Sequence, residues 1–107
     1  MALERMGSFD TLNELLSDYA VLARNPEQVF AGVVTRNGNG AVTGADVVWP
    51  NGVPGRYTAT ELSTTFAGAT DAYEITYGVP AQFTFVQPAI TRNASGYPTT
   101  IPAIEVL

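Results

Sequence analysis

The side chains that most chemistry requires are scarce in this chain. It contains no His and no Cys, and its five basic residues are all arginine: Arg5, Arg24, Arg36, Arg56 and Arg92. Without imidazole or thiol, neither a Ser-His-Asp nor a Cys-His constellation can be assembled. Disulfides and Cys-ligated zinc are excluded on the same ground. The absence of Lys removes the Schiff-base amine and the phosphate-loop lysine. Ten acidic residues remain, and a glycosidase would need two of them about 5–9.5 Å apart in a cleft. Of Asp46, Glu61, Asp71 and Glu74, Asp71 reads as a turn residue after Gly68. Glu74 alternates with Tyr73, Ile75 and Tyr77 and reads as the solvent side of a strand. The chain is expected to be no enzyme and to need no cofactor.

Binding chemistry has three candidate places. The first is a phrase written twice: Thr35-Arg36-Asn37-Gly38-Asn39-Gly40 returns as Thr91-Arg92-Asn93-Ala94-Ser95-Gly96. Counted from Thr35, Asn37, Asn39, Gly40 and Asp46 fall at positions 3, 5, 6 and 12 of a calcium loop. Position 1 is then Thr instead of Asp, and the second copy places Pro102 at position 12, so the metal reading fails. The second place is Asn93-Ala94-Ser95, a formal glycosylation sequon. The turn reading accounts for both copies without metal or sugar. Asn37 and Asn93 stand at the first position of a four-residue turn, and Gly40 and Gly96 at the fourth. That is the pattern of a type I turn closing a hairpin, with the glycine at positive φ. The third place is "WPNGVPG", Trp49 to Gly55. There Trp49 with Tyr57 could present aromatic rings to a sugar, or Trp49 could be half core and half lid at a strand end.

Charge narrows the partners. Net charge is -5 and charged residues are only 14% of the chain, against about a quarter in ordinary domains. The scattered arginines offer no basic face for nucleic acid. No apolar run approaches the roughly 20 residues that span a bilayer. Glu4, Arg5 and Asp10 stand where a signal peptide would be apolar, so the expectation is synthesis in the cytoplasm without a signal peptide.

The elements that must position these residues change language once. Leu12, Leu15, Leu16, Tyr19 and Leu22 recur at helical spacing and predict an amphipathic helix over Phe9 to Arg24, stopped by Asn25-Pro26. Ser8, Asp10 and Thr11 offer N-cap oxygens, and Thr11 with Glu14 has capping-box spacing. After Phe30, segments rich in Val, Thr, Tyr and Phe alternate with Gly, Pro and Asn. Strands are predicted over 30–36, 42–49, 56–64, 72–77, 82–91 and 99–107, with an edge or bulge at Pro88 and Pro102. The reading is mainly β: an antiparallel β-sandwich or small barrel over residues 29–107, preceded by an N-terminal arm and amphipathic helix over 1–28. A sandwich closes its own core, so the Leu12, Leu15, Leu16, Tyr19 and Leu22 stripe must be buried either on its own sheet or on a neighbouring subunit; the low charge of the chain and the polar arm Met1 to Ser8 favour the neighbour, which would make it an assembly helix.

Two phrases, "VVWPNGVPGRYTATELSTTFAGATDAYEITYG" and "FTFVQPAITRNASG", resemble small β-rich structural modules of tailed-bacteriophage virion proteins. The likeness runs over residues 33–107. It implies a non-enzymatic tail or head appendage or decoration subunit, assembled with itself and with other virion proteins and located in the virion. It carries over no catalytic residue. The alternative from another class is a carbohydrate- or cell-surface-binding β-sandwich module that engages glycans through Trp49 and Tyr57.

Overall fold

The computed structural model describes residues 9–107, with side chains from residue 12 onward. The arm Met1 to Ser8 and the capping side chains of Ser8, Asp10 and Thr11 lie outside that description. The chain is mainly β with one helix. Helix α1 runs Phe9–Ala23, followed by a 3-10 turn at Pro26–Val29. The strands are β1 Phe30–Arg36, β2 Val42–Val48, β3 Pro54–Leu62, β4 Thr70–Tyr77, β5 Phe83–Gln87, β6 Thr91–Arg92, β7 Pro98–Thr100 and β8 Glu105–Val106. Six of them form one antiparallel sheet in the order β1-β2-β3-β4-β5-β8, and β6 pairs with β7 in a second small sheet. The large sheet is open and does not close into a barrel.

The last two predicted strands are broken at their prolines. Lacking an N–H, Pro88 and Pro102 cannot extend a ladder; the chain leaves the large sheet at Pro88, and Pro102 lies in the unpaired stretch between β7 and β8. The segment between them turns back as the β6–β7 hairpin, and the chain returns only at β8, where Phe85 faces Val106 and Val86 faces Glu105. Gln87 ties the two breaks together. Its side chain is buried, and its Nε2 donates to the carbonyls of Pro88 and Pro102, each at 2.9 Å.

Alternation along the strands sends one set of residues to a single core. Ala45, Val47, Trp49, Tyr57, Ile75, Tyr77 and Phe85 meet Tyr19 and Ala23 of α1 there. On the other face Arg56, Thr58, Glu74, Thr76, Thr84 and Val86 are half-buried or exposed. The layer over the core face is therefore the helix. Trp49 lies at the centre, 1% exposed, stacked on Tyr19 at 5.0 Å between centroids with 14° between planes. Its Nε1 donates to the Thr76 carbonyl at 2.9 Å across the top of Gly55. A Cβ at Gly55 would stand 1.9 Å from that same carbonyl oxygen, so only glycine permits the crossing.

The helix stripe corrects an expectation. Leu15, Leu16, Ala20 and Leu22 pack against the chain's own core, and Leu12 is half-buried. The stripe faces its own sheet, where among the described residues no other layer lies over Trp49 and Phe85. Two hydroxyls anchor it. The Tyr73 hydroxyl donates to the Ala23 carbonyl at 2.6 Å, and the Tyr19 hydroxyl accepts from the Asn51 N–H at 3.2 Å. The boundary at residues 28/29 thus separates two kinds of element that share one core.

Removing residues 1–28 should accordingly unfold the chain, since it bares Trp49, Ile75, Tyr77 and Phe85 together. Loss of the cooperative thermal transition, followed by circular dichroism, is the expected result; a β domain that still melts cooperatively would show the helix to be dispensable.

Alkaline titration gives a second check. Burial lifts the Tyr73 hydroxyl from 10.0 to about 12, with Tyr57 adding and Arg24 opposing. Burial raises Tyr19 and Tyr57 as well. A folded-state pKa above the unfolded one means that this stability is fully present below about pH 10 and is lost as pH rises towards 12. Tyr73→Phe should cost about 1 kcal/mol at neutral pH, through the bond to Ala23. Its Tm should then fall less steeply than the parent's between pH 10 and 12.

Candidate functional site

The two copies of the repeated phrase are built alike, bond for bond. In each, the first Asn and the residue four positions on exchange a backbone hydrogen bond: the Asn37 N–H donates to Ala41 at 3.0 Å, and that of Asn93 to Tyr97 at 2.9 Å. The Gly40 and Gly96 N–H groups each return to the Asn carbonyl at 3.0 Å. The Asn37 Oδ1 accepts from the N–H of Asn39 and Ala41 at 2.9 and 3.1 Å. The Asn93 Oδ1 does the same for Ser95 and Tyr97 at 3.0 and 3.1 Å. Gly40 and Gly96 have φ of 85° and 87°. Arg36 and Arg92 each place Nη1 on the glycine carbonyl at 2.8 Å. Thr43 and Thr99 close the motif on the Thr35 and Thr91 carbonyls at 3.2 and 3.1 Å. With the Asn oxygens turned onto their own backbone, neither loop presents a set of calcium ligands.

The acids are engaged one at a time. Asp46 receives the Arg56 Nη1 at 3.1 Å and, with its other oxygen, the Val33 N–H at 3.0 Å. This carboxylate stitches an irregular stretch of β1, where the register jumps between Phe30 and Val34. Asp71 receives the Arg92 Nε at 2.6 Å, with both side chains nearly buried at 11% and 13% exposure. Among the described residues no group of His, Cys, Asp and Glu gathers as a metal site.

Trp49 is not a surface platform. Its side chain is fully buried in the core, and the Asn51 turn beside it belongs to the helix anchor: Asn51 Nδ2 donates to the Tyr77 hydroxyl at 2.6 Å. A tryptophan at a strand end is free to serve as a ligand platform only where no helix lies over it, and here Tyr19 covers it. Tyr57 is also buried, at 3% exposure. It separates from Trp49 and contributes to a different feature.

That feature is a groove of about 600 Å³ lined by Pro26, Glu27, Phe30, Arg36, Gly40, Val42, Tyr57, Gly68, Thr70 and Tyr73. It lies on the core face beyond the C-terminal end of α1, a helix of 15 residues, about 22 Å long, on a molecule 49 Å in its longest dimension. Its floor is aromatic. Tyr57 packs edge-on to Phe30 at 5.2 Å and against Tyr73 at 5.1 Å. Burial raises the Tyr57 pKa. The polar groups at its rim are Arg36, Glu27 and Thr70. Sequence reasoning found Tyr57 but missed the groove, because its lining comes from five separate segments with no common spacing.

No family model, no curated protein and no solved structure matches the chain.

The two turns share their strain and differ in their surroundings. A Cβ at Gly40 meets nothing within 4 Å, whereas one at Gly96 stands 2.7 Å from the Phe66 ring. Gly40→Ala should cost about 1–2 kcal/mol for the left-handed backbone alone. Gly96→Ala should cost measurably more, since Phe66 must also move. Equal chemical-denaturation midpoints for the two variants would contradict this.

Proposed function

We propose that the chain is a non-enzymatic structural subunit of a phage virion or a similar homo-oligomeric assembly, of the tail or head appendage or decoration type. Its partners in this reading are further copies of itself and other virion proteins. The supporting observation is the open outer side of the sheet. The face carrying Thr58, Thr76 and Thr84 has no helix over it, and β1 at the edge is exposed from Ala31 to Arg36. Val33 and Val34 are 67% and 39% exposed on that strand. Past the irregular stretch that Asp46 stitches at Val33, Val34 and Thr35 form a short exposed edge without Lys or Pro, and such an edge is a template for pairing with another chain. The low charge of the whole chain, 14%, suits a surface that neighbours cover. The resemblance of residues 33–107 to phage structural modules adds the setting. No helix among the described residues is long and apolar enough to cross a membrane.

The second reading, a carbohydrate- or cell-surface-binding module, loses Trp49 to the core and keeps only the groove around Tyr57.

Native mass measured by light scattering, over a range of concentrations, tests the assembly reading. A stable oligomer is expected, with regular particles in electron micrographs at high concentration. Val34→Lys should lower that mass while leaving the circular dichroism spectrum unchanged, because a charge on the edge blocks strand pairing. A parent chain that is monomeric at every concentration would overturn the proposal.

A further inference from the structure

The duplicated turn contains its own control. Arg36 and Arg92 occupy the same place in the same hydrogen-bonded frame, each with Nη1 on the glycine carbonyl. Arg92 also has a carboxylate, that of Asp71, on its Nε at 2.6 Å. Among the described residues the ion pairs are Arg56–Asp46 and Arg92–Asp71, and none of these residues forms an ion pair with Arg36. What lies beside Arg36 instead is the groove. Its guanidinium is held in place by the bond to Gly40, and its remaining N–H groups are left to meet whatever enters.

The rest of the lining restricts what that is. Phe30 and Tyr73 are half-buried, with their rings supported from beneath by Tyr57. The Tyr73 hydroxyl is committed to Ala23, so its ring is fixed and contributes its apolar surface. Glu27 and Thr70 add an acceptor and a hydroxyl on other walls, suited to a ligand carrying hydroxyl groups. A volume of about 600 Å³ is within the ordinary range for small ligands. Glu27 disfavours a ligand of multiple negative charge, such as a polyphosphate, while leaving room for one carboxylate at Arg36.

We propose that this groove binds a carboxylated pyranose, with its carboxylate paired to Arg36 as Asp71 is paired to Arg92. A C–H face of the sugar lies on Phe30 and Tyr73, and its hydroxyls reach Glu27 and Thr70. The site is independent of the assembly reading, since native mass and ligand binding fail separately.

The test titrates the full chain, by two-dimensional NMR and by calorimetry, with trigalacturonate and sialyllactose as carboxylated saccharides. Maltotriose serves as the neutral saccharide and benzoate as the carboxylate without a sugar. At least one carboxylated saccharide should bind, shift the amides around Phe30, Arg36 and Thr70, and exceed maltotriose and benzoate by about ten-fold or more, the discrimination expected of a charge-assisted bond. Arg36→Gln is at an exposed position and should melt close to the parent while losing that preference. The proposal is overturned if neither carboxylated saccharide binds, if maltotriose or benzoate binds as well as they do, if the shifts lie away from the groove, or if the preference survives in Arg36→Gln.

Discussion

The structure depends on a contact between the helix and one strand end: Tyr19 laid flat on Trp49. A six-stranded open sheet has two faces, and among the described residues α1 is the one α-helix that can cover either, so the position of that helix decides which face becomes the core. The stack sets it. Trp49 packs in turn on Phe85 at 5.1 Å and Tyr77 at 6.1 Å, which extends the contact from β2 across to β5. Its indole N–H needs a buried acceptor, and the Thr76 carbonyl supplies one only because Gly55 leaves the path clear. The glycine of "WPNGVPG", the tryptophan at its start and the helix upstream are therefore one arrangement. Every aromatic hydroxyl near it has a partner, and no buried side-chain nitrogen or oxygen among the described residues is left without one.

What the sequence made legible follows from range. The helix ends within a residue of its predicted limit because Asn25-Pro26 acts locally, and β1 spans Phe30–Arg36 as read. The repeated turns were legible for the same reason, since their bonds run between residues no more than a few positions apart. What was not legible needed distant partners. Its place at a strand end left Trp49 readable as sugar platform or as half core and half lid, and nothing local could supply the Tyr19 ring that covers it, 30 positions upstream. Pro88 and Pro102 were recognised as interruptions. That they eject an entire hairpin from the sheet, leaving Gln87 to bridge the gap, depends on contacts between segments 15 residues apart. The groove was beyond reach altogether, because Pro26, Arg36, Tyr57 and Tyr73 meet only after the sheet has formed.

The duplicated turn shows how one local solution acquires two environments. Its internal bonds are indifferent to context, so the same six-residue phrase folds alike at a sheet end and in the small β6–β7 hairpin. The arginine at its second position is the part that reaches outwards. In the second copy β4 of the large sheet supplies Asp71 and a nearly buried ion pair results. A pair of that kind is costly to desolvate and costly to break by removing one partner, so Arg92 is fixed as structure. In the first copy the same outward reach leads to the rim of a groove.

The order of elements along the chain has a consequence for how the molecule is made. The helix precedes its acceptor: the Asn51 N–H that meets the Tyr19 hydroxyl lies 32 residues downstream. At a synthesis rate of about 5–20 residues per second, that interval lasts roughly 2–6 seconds. During it a helix of 15 residues has nothing to lie on and is marginal alone. The hairpins that follow are nearest-neighbour pairings and close quickly, whereas β8 joins β5 only after the intervening β6–β7 hairpin has been made. A nascent chain therefore passes through a period in which Leu15, Leu16 and Tyr19 are open to other chains leaving the same messenger.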